Sequence, residues 1–154
     1  MILIGIIDQL DQNGFRKGND LQFLSHIFTI QQDVDASVLV DRAKRLTHDF
    51  KKMGLRVKPM FYPAIGLLAL IENSSKDIET IMSLYYRFNT EKQFRWKKDI
   101  NFIIATNFIV RDKVENTSLI TTGIQTTIET IIQAQQAAMI AGVTAAATAS
   151  NSGS

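Results

Sequence analysis

Three groups of side chains in this 154-residue chain have types and spacings that could do chemistry. The first is His26, Arg56 and Tyr62, which together would offer a ligand an imidazole, a permanent positive charge and a phenolic hydroxyl. Hydrolysis would need His26 to work with a carboxylate such as Asp49 or Glu72. Those residues lie on separate segments, so only tertiary folding could assemble them. The bland reading of His26, set in Leu24-Ser25-His26-Ile27, is a histidine bonded to a nearby carbonyl.

The second group is the segment Gln9 to Asp20. On a calcium-loop template, Asp11 falls at position 3, Asn13 at 5, Gly14 at 6 and Asp20 at 12. The template fails at position 1, where Gln9 supplies only a neutral oxygen, and at position 8, where Arg16 stands in place of an apolar residue. An interhelical turn relaxed by Gly14 and Gly18 explains the same residues without a metal, and no metal or other cofactor is expected. The third group is a basic and aromatic run: Lys92, Phe94, Arg95, Trp96, Lys97 and Lys98. It is the feature that would suit a nucleic acid. The competing view has the aromatic rings anchoring a turn while the lysines take solvent.

Composition narrows the classes. Hydrophobic residues make up 45% of the chain and charged ones 21%, which is globular rather than disordered. There is no cysteine, so disulfides, thiolate catalysis and cysteine-based zinc sites are excluded together. No Gly-rich phosphate loop is present. The net charge of +2 is small, but all 17 Lys and Arg precede Val114. The start, Met-Ile-Leu-Ile-Gly-Ile-Ile-Asp, lacks the basic region and cleavage site of a signal peptide, so a cytoplasmic protein is expected.

The elements that must position these groups read as helices throughout. Lys58 to Ile71 holds the key. From Met60 onward it carries no charge, it is too short to span a bilayer, and Pro63 suits a first helical turn. It predicts a short helix over 60–72 that is apolar all round and hence buried all round. Before it, helices are expected at about 2–10, at about 20–31 capped by Asn19 or Asp20, and at about 36–53 capped by Asp35. The third has the clearest stripe: Leu39, Ala43, Leu46, Phe50 and Met53, spaced 4-3-4-3, with Gly54 following at its end. After the central helix, Ser74 to Asp77 resembles a capping box ahead of Ile78, Ile81, Tyr85 and Phe88. A sixth helix over about 96–111 would bury Ile100, Ile103, Ile104 and Phe108. The last begins near Ser118 and aligns Ile120, Ile124, Ile128, Ile131, Gln135, Met139 and Val143. The expected architecture is all-α, about seven helices in one domain over 1–147, with a flexible tail over 148–154.

Three segments carry a resemblance. They are Phe15-Arg16-Lys17-Gly18-Asn19-Asp20-Leu21-Gln22-Phe23-Leu24-Ser25-His26-Ile27, then Tyr62-Pro63-Ala64-Ile65-Gly66-Leu67-Leu68-Ala69-Leu70, then Gln133-Ala134-Gln135-Gln136-Ala137-Ala138-Met139-Ile140. Together they resemble a family of Gram-positive bacterial proteins catalogued as a domain of unknown function, number four thousand and three. The resemblance implies a bacterial cytoplasmic setting and the C-terminal part of a longer architecture. It implies no reaction and no functional residue.

The leading functional expectation is a non-enzymatic helical interaction module. Its partner would be another protein or a second copy, met through the uncharged C-terminal helix, with no membrane span. The alternative is a small-molecule-binding or hydrolytic protein with a pocket beside the central helix, lined by His26, Arg56 and Tyr62. Nucleic-acid binding through 92–98 ranks third.

Overall fold

The computed structural model describes residues 2–29, 34–71, 73–92, 94–95, 97–116, 125–126 and 128–137. The fold is all-α, and no strand occurs among the described residues. The chain divides into two compact units, 1–117 and 118–154. The first holds α1 (Ile2–Gln12), α2 (Asn19–Phe28), α3 (Ala36–Lys52), a 3₁₀ turn (Pro59–Phe61), α4 (Tyr62–Leu70), α5 (Ser75–Thr90) and α6 (Lys98–Asn116). In the second, residues 128–137 are helical. The expected tail over 148–154 lies outside the described residues, as does most of the stripe from Ile120 to Val143.

The central apolar helix is where the sequence put it. Every residue of α4 is buried, and α2, α3 and α6 all pack against it. An uncharged helix enclosed in this way has no water to satisfy its terminal carbonyls, so neighbouring side chains must do so. Arg42 of α3 donates from Nη1 to the Ala69 carbonyl at 3.1 Å. Asn73 donates from Nδ2 to the Leu68 carbonyl at 2.6 Å and to that of Ile71 at 3.1 Å.

Two helix ends share one device. Gly14 (φ 92°) follows α1 and Gly54 (φ 98°) follows α3, both in the left-handed region that glycine enters without strain. After α1, Gly14 N–H reaches the Asp11 carbonyl and Phe15 N–H that of Leu10; after α3, Gly54 reaches Lys51 and Leu55 reaches Phe50. This is the Schellman pattern, closed by apolar contact between the residues at its two ends. Phe15 and Leu55 are accordingly buried, as are Leu10 and Phe50. The residue after each is an arginine, Arg16 and Arg56, which leaves the core as the chain turns.

Several local expectations are corrected. The N-cap of α2 is Gly18, with no side-chain cap, so Asn19 and Asp20 are already inside the first turn. Asp20 still favours the helix from there through the dipole. Met53 lies 36% exposed, so it falls off the buried stripe expected of it. In α6, Phe108 is 63% exposed, while Phe102 and Val110 are fully buried. Residues 104 and 100 lie at its edge. Asp35 caps α3 as expected, its Oδ1 accepting from Ser37 N–H at 3.1 Å.

The capping box at α5 also forms: Ser74 N–H donates to Asp77 Oδ2 at 2.8 Å. Lys113 of α6 pairs with the same carboxylate. Burial pushes the Asp77 carboxyl upward, but the Lys113 and Ser74 bonds outweigh it and hold the group below its ordinary value. A carboxyl that is more acidic folded than unfolded contributes stability that is fully present above its unfolded pKa of about 3.9 and is lost as pH falls through the folded value. Asp77→Asn should therefore destabilise the protein near neutrality and flatten the acid limb of its stability curve below pH ~4. Thermal melts of both proteins from pH 3 to pH 7 check this; parallel acid limbs would refute it.

Candidate functional site

A cleft of about 770 Å³ opens beside the start of α4. Three segments build it: the turn after α1 (Asn13 to Arg16), one face of α3, and the stretch Arg56 to Pro59 with Tyr62 beyond it. Lys44, His48 and Lys51 follow one another at spacings of four and three, so they lie along one stripe of α3. That stripe runs opposite Leu39, Ala43, Leu46 and Phe50, which are buried. The two Schellman ends deliver Arg16 and Arg56 to the same opening, and Lys58 completes the set.

The floor is apolar with one polar group. Phe15 and Tyr62 meet edge to face, with ring centroids 5.0 Å apart. Tyr62 is buried except for 5% of its surface, and its hydroxyl oxygen accepts from the Arg16 N–H at 3.0 Å. Its own proton is thus free to be donated to whatever occupies the cleft. That bond also ties the turn carrying Arg16 to the first residue of the central helix.

Charge in the cleft is of one sign. Five Lys and Arg residues and one histidine line it, and among the described residues no carboxylate does. Among the described residues, Lys44, Lys51 and Arg56 make no ion pair. The C-terminal turns of α1 and α3 border the cleft through Asn13 and Lys51, and the partial negative charge of a helix C-terminus offsets some of the repulsion. Asp99 pairs with Lys58, and a helix end supplies about half an elementary charge, so two ends balance about one of the four cations that remain.

Of the ligand-binding candidates read from sequence, Arg56 and Tyr62 meet in this cleft. The histidine that joins them is His48; His26 stands exposed on α2 and does not line it. Arg16, Lys44 and Lys51 were not singled out for binding. Their signal was the polar stripe of α3, which local periodicity alone does not distinguish from a solvated face.

The calcium-loop residues are otherwise engaged. Asn13 Nδ2 donates to the Gln9 carbonyl at 2.7 Å, and Asp11 lies 3.8 Å from the Lys17 ammonium. Asp20 is half-buried, and that burial raises its pKa, which disfavours the ionised form a cation would need. No group of three or more His, Asp or Glu that could hold a metal occurs among the described residues.

Of the basic run 92–98, residues 92, 94 and 95 lie in a turn ahead of α6, and Lys98 is the first residue of that helix. Lys92 is exposed there, and Trp96 lies outside the described residues. Arg95, Lys97 and Lys98 line a second cleft of about 940 Å³, which also contains Arg56 and Lys58. Lys58 Nζ donates to both carboxylate oxygens of Asp99, each at 3.0 Å. Asn101, fully buried, was missed by sequence reading. It holds the turn by donating from Nδ2 to the Phe94 carbonyl at 2.7 Å and to Asn89 Oδ1 at 2.9 Å.

In the first unit, fold and site together define an all-α, cysteine-free body packed round a buried apolar helix, with a basic cleft at that helix's start. The chain belongs to the family described as Protein of unknown function (DUF4003), whose model matches residues 6–137. It is 35% identical over 142 residues to the Uncharacterized protein YeaA of Bacillus subtilis (strain 168). That alignment covers 92% of this chain and 43% of the relative, so the chain spans less than half the relative's length. No solved structure matches it. No helix among the described residues is long and apolar enough to cross a membrane.

Proposed function

We propose that the domain binds an anionic small molecule, one bearing phosphate or carboxylate groups, in the cleft beside the start of α4. The observation that supports this is the one-sided lining: Arg16, Lys44, Lys51, Arg56, Lys58 and His48, with no carboxylate among them. Gathering like charges in one concavity opposes folding through self-repulsion, and the focused positive field attracts an anion that relieves it. Two arginines provide planar forks that match phosphate and carboxylate oxygens, and Tyr62 adds a neutral donor at the floor. Phe15, Val57 and Pro59 give the hydrocarbon or ring portion of a ligand an apolar seat. The activity proposed is binding. A bacterial cytoplasmic setting goes with it, supported by the cysteine-free sequence and the Bacillus relative.

Pyrophosphate and citrate, added at constant ionic strength, are the test. At one hundred times its dissociation constant, a ligand of the folded state should add about 2.7 kcal/mol of stability, visible as a higher melting temperature. The double variant Lys51→Ala/Arg56→Ala alters exposed residues and should fold. Loss of two charge-assisted contacts, at about 1.5 kcal/mol or more each, should weaken binding over a hundredfold. Equal affinity in the double variant, or no shift with either anion, removes the reading.

A further inference from the structure

The second cleft shares Arg56 and Lys58 with the first. The two therefore adjoin at the loop that joins α3 to α4. From this adjacency, which rests on the anion-binding reading above, we infer that the ligand class is an extended polyanion, a single-stranded nucleic acid. Its phosphodiester backbone runs from the Lys44–Lys51 stripe past Arg56 to Lys97 and Lys98.

Length is the first argument. A small-molecule site has about 300–1,000 Å³, and each cleft by itself fills that range. A ligand that uses both must repeat its anionic group several times. Charge is the second. Among the described residues Asp99 is the one carboxylate lining the second cleft, and Lys58 occupies both of its oxygens, so Arg56, Lys97 and Lys98 set the sign of the field there. The turn carrying the cations is fixed: Phe94 and Arg95 N–H groups bond the Glu91 carbonyl, and Asn101 bonds that of Phe94. Cations on a fixed turn lose less entropy on binding than cations on a loose one.

The third argument separates a single strand from other polyanions. Exposed Met60 and half-buried Tyr85 line the second cleft beside its cations. An unpaired base stacks on a tyrosine without regard to sequence and finds apolar contact on a methionine, whereas polyphosphate has nothing to place there. A duplex is stiff and keeps its bases stacked inside, so its backbone meets only the rims of two indentations. An anionic bilayer likewise meets the rims and not the Tyr62 hydroxyl on the floor.

Fluorescence anisotropy with end-labelled twelve-nucleotide oligo(dT) and oligo(U) tests the track. Binding should weaken with salt, with a slope of about −3 in log K against log salt, which is the signature of four to five phosphates engaged. Lys44→Ala/Lys51→Ala changes the first cleft alone and Lys97→Ala/Lys98→Ala the second alone. Each pair should weaken oligonucleotide binding at least tenfold, while pyrophosphate affinity falls only with the first pair. Circular dichroism melts confirm that both variants fold. Oligonucleotide affinity unchanged by the second pair overturns the inference. So does equal or tighter binding to a twelve-base-pair duplex, to polyphosphate or to phosphatidylserine vesicles. If pyrophosphate binds and the oligonucleotide does not, the track falls and the anion site stands; if neither binds, both fall.

Discussion

Phe102→Ala should cost about 3–5 kcal/mol, the range for a buried aromatic cut to a methyl group. Phe102 is fully buried and joins four elements. Its ring meets Phe50 of α3 edge-on at 5.1 Å, Phe61 of the 3₁₀ turn at 4.6 Å, and Tyr85 of α5 edge-on at 6.0 Å. Removing it would leave a cavity walled by rigid rings, which collapse poorly, so the cavity penalty adds to the lost transfer energy. Phe102→Leu refills most of that volume and should cost far less, about 1.5 kcal/mol. Urea unfolding measures both, as a lowered midpoint at unchanged slope. A loss below about 1 kcal/mol for the alanine variant would mean that the ring cluster is loosely packed. Because Phe61 and Tyr85 also border the second cleft, Phe102→Ala should loosen that cleft before it disturbs the first.

Phe102 also shows where sequence reading stops. The stripe Ile100, Ile103, Ile104 and Phe108 has correct helical spacing, yet the buried set of α6 includes Asn101, Phe102, Ala105, Thr106, Asn107 and Val110. Helix α6 is packed by α4, α5 and the 3₁₀ turn, so its buried face is wider than one stripe. Part of that face is polar. A pattern search keyed to apolar residues discards Asn101 and then places the face by Phe108, on the wrong side. Helix α3 was legible because it has one buried face and one solvated one. Helix α4 was legible for the opposite reason: with no polar side at all, it had nowhere to be except inside. The cleft was half legible. In sequence Arg56 shortly precedes the central helix and Tyr62 begins it, and Pro59 and Pro63 keep them near its start. His48 and Lys51 reach the same opening only because the loop after α3 folds back, and no local spacing encodes that return.

The central helix allows a sharper test than any single truncation. In a helix with one buried face, neighbours such as Leu67 and Leu68 point about 100° apart, and one of the two is cheap to cut. Here both are fully buried, so Leu67→Ala and Leu68→Ala should each cost about 2–5 kcal/mol. Gly66, just before them, turns an ordinary rule round. In an exposed helix interior, Gly→Ala gains about 1 kcal/mol. A Cβ at Gly66 would instead run into Leu24 Cδ1 and press on Ile27, 3.4 Å away, on α2. Leu24 is fully buried and Ile27 nearly so, which leaves neither side chain room to swing aside. Gly66→Ala should therefore destabilise by about 1–3 kcal/mol. Shortening the obstacle should relieve it: Gly66→Ala/Leu24→Ala should be less destabilised than the sum of its single variants, with a coupling of at least about 0.5 kcal/mol. Strict additivity, or a stabilising Gly66→Ala, would show that α2 and α4 do not approach each other through this glycine.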